Sequence, residues 1–146
     1  MIVGQPGSGQ AVLARAMGEA LHLPVVDLGH RGERAPAEVL EGARWIIAGG
    51  DPTGWTARLA RADALVWLDL PVLPRLLRLA RSGESVETLR AALSGRLAGR
   101  TLCAGLHAQA GSRHKVFHLR SDRAARGFVH ALRYAVRQGT LETPEV

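Results

Sequence analysis

Short apolar runs alternate along this chain with stretches in which apolar residues recur at helical spacing. Met1 to Val3 is the first run, and it reads two or three residues short for a strand, as a displaced start codon in GC-rich coding would leave it. From Gln10 to His22, Leu13, Met17 and Leu21 recur every fourth residue beside Val12, Ala16 and Ala20, which predicts an amphipathic helix punctuated by Pro24. Val25 to Leu28 reads as a buried strand. A helix of about eight residues opened by Pro36 leads into a strand over Trp45 to Ala48 that Gly49 and Gly50 end. Thr56 to Ala62 is expected to be helical and Ala64 to Leu68 a strand. Pro71 then opens a long helical region to about residue 110, divided at Gly83 and Gly95. Lys115 to Leu119 supplies a fifth strand. Ser121 and Asp122 stand where an N-cap belongs before a helix reaching about Gln138, and a frayed tail is expected over Thr140 to Val146.

Strands that are continuous apolar runs, each followed by a helix, predict a parallel sheet covered on both faces: an α/β domain of three layers with five strands. A length of 146 residues suits one compact domain, so a single unit over 1–146 is expected. Apolar residues at 47% and charged residues at 22% are ordinary globular usage, which argues against a disordered chain. Asp63, Asp69, Pro71 and Pro74 interrupt the most hydrophobic region, and the N-terminus lacks a basic segment followed by an apolar one, so a cytoplasmic protein without a membrane span is expected. The net charge of +6 suits phosphate or nucleic-acid binding. Lys115 is the one lysine among 19 basic residues, however, so part of that charge reflects arginine-favouring composition.

Chemistry enters at Gly4. The stretch Gly4-Gln5-Pro6-Gly7-Ser8-Gly9-Gln10-Ala11 matches the phosphate-loop template GxxxxGK[ST] at its glycines and departs at its last two positions. Backbone N–H groups and a helix N-terminus form the anion nest of such a loop, whereas its lysine neutralises the β- and γ-phosphates and its hydroxyl binds magnesium. With Gln10 and Ala11 in those places, the nest is retained without its cation chemistry. Strand, glycine loop and helix in that order point to a P-loop NTPase fold.

Three segments make a closer resemblance: GQPGSGQAVLARAMGEAL, WIIAGGDPTGWTARLARADALVWLDLP and HKVFHLRSDRAARGFVHAL. Across nearly its whole length the chain resembles the P-loop kinases known as topology modulation proteins, relatives of adenylate kinase. The resemblance implies a nucleoside-monophosphate-kinase-like architecture with a lid-like helical region at about 72–112. In that family the strand after Trp45 typically ends in Asp-Gly-Asn, whose aspartate is a Walker-B-type carboxylate. Here Ala48-Gly49-Gly50 stands there. The family's Leu-Asp after the second strand, an acceptor-side carboxylate, is Leu28-Gly29 here. Gln10, Ala11, Gly29 and Ala48 thus fall on the positions that would hold the γ-phosphate, the metal and the acceptor.

Asp51 and Asp69 are the candidate substitute carboxylates, although Asp51-Pro52 is also an ordinary turn opening. Arg15 lies too far along the first helix to return to the loop. Arg75, Arg78 and Arg81 recur every third residue and are read as one broad stripe, with Arg90, Arg96 and Arg100 beyond it. They are candidate lid arginines, or alternatively a solvated basic face or a nucleic-acid surface. Cys103, His107, His114 and His118 match no common zinc spacing, and no metal ligand set is expected. Trp45, Trp55 and Trp67 are expected in the core. The function expected is that of a degenerate kinase homologue, binding ATP or another phosphate-bearing ligand weakly, without magnesium and with little or no phosphotransfer. An active small-molecule or nucleotide kinase using non-standard residues is one alternative. A nonenzymatic protein binding a partner or, weakly, nucleic acid is the other.

Overall fold

The computed structural model describes residues 1–29 and 35–141. The strands are β1 (Ile2–Gly4), β2 (Val25–Asp27), β3 (Ile46–Ala48), β4 (Ala64–Leu68) and β5 (Lys115–Leu119), and they form one sheet in the order β2-β3-β1-β4-β5 with every pairing parallel. The helices are α1 (Gln10–Leu21), α2 (Ala37–Glu41), α3 (Trp55–Leu59), α4 (Val72–Arg81), α5 (Val86–Ser94), α6 (Arg96–Ala110) and α7 (Asp122–Arg137). Alternate residues of the inner strands feed two cores. Ile2, Val66 and Leu68 meet Leu13, Ala14 and Met17 of α1 and Val129 of α7, while Val3, Leu65 and Trp67 meet Trp55, Cys103 and Leu106 from α3 and α6. Two-faced burial is why these strands read as unbroken apolar runs.

Helix ends follow local chemistry. His22 takes a left-handed conformation that stops α1, and Ser85 and Ser121 cap α5 and α7 by accepting from Thr88 N–H and Ala124 N–H. Two helices are shorter than the pattern predicts. Gly42 turns extended and ends α2 after Glu41, and Pro52–Gly54 forms a 3-10 turn before α3, which closes at Leu59. At the C-terminus Thr140 is tied back to the Ala135 carbonyl through its N–H (3.0 Å) and hydroxyl (2.9 Å), so fraying does not begin there. The rest of the expected tail, 142–146, lies outside the described residues. Among the described residues no helix is long and apolar enough to cross a membrane.

The strand order places the topological switch at β1, where the chain moves from the β2 and β3 side to the β4 side. In open α/β sheets, ligands bind beyond the C-terminal ends of the strands at this point. Gly4 ends β1 in register with Leu68, and the glycine loop begins there.

Candidate functional site: the glycine loop and its flanking cavities

Gly7 and Gly9 adopt φ of +79° and +88°, a region that L side chains rarely enter. Ser8 N–H closes the turn on the Gln5 carbonyl at 3.1 Å, whereas the N–H groups of Gly7, Gly9, Gln10 and Ala11 donate to no backbone carbonyl outside regular elements among the described residues. No side chain caps α1 and no acid stands in its first turn, so the positive end of the helix dipole is uncompensated. Loop and helix end together suit an anion. Gly7 has a second reason to be glycine: a Cβ there would lie 2.5 Å from the Arg75 carbonyl oxygen, because α4 packs directly on the loop.

Gln10, at the lysine position, is 5% exposed, and its Nε2 donates to the Gly4 carbonyl at 2.9 Å. The side chain is folded back and braces the loop with a neutral amide. Its Oε1 and the Ser8 hydroxyl are buried beside it without hydrogen-bond partners. Ala11 opens α1 without an oxygen to offer, and Ala48 is sealed in the core between β1 and β2. A methyl group at each of these positions leaves magnesium neither the hydroxyl nor the carboxylate of the usual arrangement, so the residues present do not fit the ion there.

The glycines after β2 and β3 have a structural cause as well. A Cβ on Gly49, at φ +74°, would lie 2.5 Å from the Gly29 carbonyl oxygen, and Gly50 N–H donates to that same oxygen at 2.9 Å. The two strand ends approach closely because Gly49 has no Cβ, whereas Gly29 has open space around it and is set by its φ of +59°. Asp27, two residues before Gly29, accepts from Gly29 N–H at 3.0 Å and lines the cavity below the loop. Reading Asp27 as an ordinary strand residue concealed a carboxylate at this cavity.

Arg75, Arg78 and Arg81 do not form one stripe. At about 100° per residue, a three-residue step drifts about 60°, so Arg75 and Arg81 diverge by about 120°. Arg75 is buried and donates from Nη1 to the Pro6 carbonyl at 3.2 Å, and burial lowers its pKa against the opposing pull of Asp69. Arg78 is half-buried. It donates from Nη1 to the Gly7 carbonyl at 2.8 Å and from Nη2 to Asp122 Oδ1 at 2.7 Å, while Arg81 is exposed. One further arginine escaped notice in the sequence. Arg58 of α3 is buried with Nη1 donating to the Gly49 carbonyl at 2.7 Å, and burial lowers its pKa while Asp51 raises it. Its place three residues after Trp55 and beside Leu59, on the apolar face, was the available signal.

Of the two candidate carboxylates, Asp51 accepts from Thr53 N–H at 3.1 Å and from the Thr53 hydroxyl at 2.7 Å, capping the 3-10 turn. Asp69 is a buried carboxylate held by Arg100, Nε at 3.1 Å and Nη2 at 3.0 Å, and by His118 Nε2 at 2.9 Å. Burial opposes its charge, yet the hydrogen bonds from Arg100 and His118 outweigh that and hold the carboxyl below its ordinary range. His118 stacks on Trp67 with ring centroids 4.0 Å apart, and His114 sets its ring nitrogens against the Ala110 and Leu59 carbonyls. Burial, helped by Asp69, pushes the Cys103 thiol up to about 12. Among the described residues no group of three or more His, Cys, Asp or Glu side chains could hold a metal.

A cavity lies on each side of the loop. One of about 720 Å³ is bounded by Gln5, Pro6, Asp27, Trp55, Glu84 and Thr88. The other, about 850 Å³, runs between α1 and α7 past Ser8, Gly9, Val12 and Arg78. Both fall in the size range of small-molecule sites.

The sheet order, the glycine loop after β1 and the helical layers define the fold of P-loop kinases. No protein-family model matches the chain, and no curated protein matches it. Among solved structures, a shikimate kinase from Acinetobacter baumannii in complex with shikimate is similar to it at 19% identity and a TM-score of 0.59, covering 97% of this chain and 93% of that one.

Proposed function

We propose that this chain is a degenerate homologue of the P-loop kinases, related to the topology modulation proteins it resembles. It binds ATP or another phosphate-bearing ligand weakly, without magnesium, and transfers little or no phosphate. The observation that carries this reading is Gln10. A neutral side chain folded onto the Gly4 carbonyl takes the place of an ammonium group aimed at the ligand. Ala11 and Ala48 deny magnesium its donors, and neither Asp51 nor Asp69 is offered as a replacement: the first caps a turn and the second is held by Arg100 and His118. The helices α4 to α6 would act as the lid, with Arg81 as its exposed guanidinium.

An active small-molecule kinase is the second reading, favoured by two observations. Arg78 sets a guanidinium against the Gly7 carbonyl and can supply charge the lysine would have supplied, and Asp27 lines the 720 Å³ cavity as an acceptor-side carboxylate. Calorimetric titration with ATP, with and without magnesium, alongside an assay of ADP release, separates the two. Weak binding indifferent to magnesium and no ADP release is the expected result. Tight magnesium-dependent binding with turnover overturns the degenerate reading in favour of the active kinase.

A further inference from the structure

The arginines that the sequence offers for phosphate contacts on α4 are engaged with the loop carbonyls, Arg75 with Pro6 and Arg78 with Gly7. An available cationic face lies elsewhere, on α7. Arg123, Arg126, His130 and Arg133 are all exposed and line the 850 Å³ groove against Val12 and Ala16 of α1. At about 100° per residue these positions fall within about 80° of one another, so they share a face. The opposite face of α7, with Phe128, Val129 and Leu132, packs on the core. The cationic side chains therefore do not hold the fold together.

Their charges are also poorly balanced. Asp122 is committed to Arg78, and Glu19 reaches Arg133 only at 3.8 Å with both side chains largely exposed. Arg123 and Arg126 make no ion pair among the described residues. Arg123 and Arg126, like charges three residues apart on the helix, oppose each other by a few tenths of a kcal/mol. Gly127 adds a second cost. A helix-interior glycine is about 1 kcal/mol worse than alanine. A Cβ at Gly127 would touch nothing, so tight packing does not explain the glycine, which instead leaves the helix surface low between Arg126 and His130.

The cationic wall extends along the helix. Arg123 and Arg133 are ten positions apart, about 15 Å along the axis. A single strand is more extended than the about 3.4 Å per phosphate of a duplex axis, so that length faces roughly two or three consecutive phosphates, a longer reach than one compact phosphate cluster. No Phe, Tyr or Trp lines the groove among the described residues and its one ring is the His130 imidazole, so base stacking is not the main mode of contact. We propose that the groove between α1 and α7, walled by Arg123, Arg126, His130 and Arg133, binds the phosphodiester backbone of single-stranded nucleic acid with little regard to sequence.

The test is fluorescence anisotropy of labelled 20-nucleotide oligothymidylate and oligouridylate at pH 8, from 50 to 200 mM salt. Three arginine contacts predict a slope of log affinity against log salt near about −2, at roughly −0.7 per contact for single strands. Arg126→Ala with Arg133→Ala should bring it to about −0.7, Arg126→Lys with Arg133→Lys should preserve it, and Arg81→Ala with Arg90→Ala should leave it unchanged. Circular dichroism checks that each variant is folded. Calorimetry with inorganic pyrophosphate reads the glycine loop separately, and its affinity should be the same in the α7 double-alanine variant as in the wild type. The proposal is overturned by absence of oligonucleotide binding at 50 mM salt, or by an unchanged slope in the folded α7 double-alanine variant. Displacement of the oligonucleotide by an equimolar amount of tripolyphosphate would also overturn it, making the groove a small-anion site. Failure of pyrophosphate to bind while the oligonucleotide results hold would sink the loop reading alone.

Discussion

Gln10→Lys perturbs the position on which the loop's chemistry turns. In the unliganded protein the change exchanges a neutral amide for an ammonium at a site only 5% exposed. The new group can donate to the Gly4 carbonyl as Gln10 Nε2 does now at 2.9 Å, so the bond itself need not be lost. The desolvation of the charge remains, partly offset by the Gly4 carbonyl, and we expect a net destabilisation of about 1–3 kcal/mol. For a chain of this size that lowers Tm by about 3–10 °C. With an anion in the loop the balance reverses. A charge-assisted hydrogen bond is worth about 1.5–3 kcal/mol, so pyrophosphate should bind about 10- to 150-fold tighter than to the wild type. Because ligand binding stabilises only the folded state, saturating pyrophosphate should restore the lost Tm. Calorimetry and a thermal melt with and without pyrophosphate measure both halves. If the folded variant binds pyrophosphate no tighter, the Gln10 side chain does not stand where the ligand's charge arrives, and the degenerate phosphate-loop reading loses its central support. Ala48→Asp is the harder reversion, since a carboxylate in that sealed core position without a cation costs about 3–5 kcal/mol.

Asp69→Asn should lower stability at pH 7 by about 1–3 kcal/mol, because Arg100 and His118 lose a buried ionised acceptor. Asp69 is held below its ordinary value of 3.8, so its contribution is present above that value and is lost as pH falls through the lower folded value. Denaturant melts should therefore show a shallower acid decline in the variant than in the wild type, and parallel declines would refute the assignment. Cys103, with its thiol at about 12, carries roughly one thiolate in ten thousand at pH 8, so a thiol reagent should label it only on unfolding; rapid stoichiometric labelling of the folded protein would contradict its burial.

The strands and the loop were legible because their signals are local. Apolar runs bounded by Gly and Pro needed no partner to be read, and β4 and β5 begin and end where the pattern puts them. The glycine template located the turn after β1 for the same reason. Shorter helices were misjudged where a single backbone choice decided the matter: Gly42 could have continued α2 or left it, and its extended conformation ends the helix. Gly29 read as a lost side chain and Gly49 only as the end of a strand. The approach of two strand ends, which puts the Gly29 carbonyl oxygen where a Cβ on Gly49 would lie, joins positions twenty residues apart and leaves no local trace.

Charge was the least legible feature, and the reason is geometric. Eighteen arginines leave every helix but α2 with a basic residue, so spacing alone cannot separate a guanidinium that braces backbone from one that meets solvent. Arg58 and Arg75 are buried against loop carbonyls, Arg78 divides itself between Gly7 and Asp122, and Arg100 clamps Asp69. Each satisfies a group that another part of the chain presents. The exposed guanidinium groups that remain lie less on α4, where three arginines recur every third residue, than on α7, which the sequence marks only by its N-cap and its extent. A loop without its lysine, braced by arginines through its carbonyls, keeps its N–H groups as its means of holding an anion. The phosphate affinity proposed for the loop and the polyanion affinity proposed for α7 depend on different residues, which is why pyrophosphate calorimetry and the oligonucleotide salt slope can fail independently.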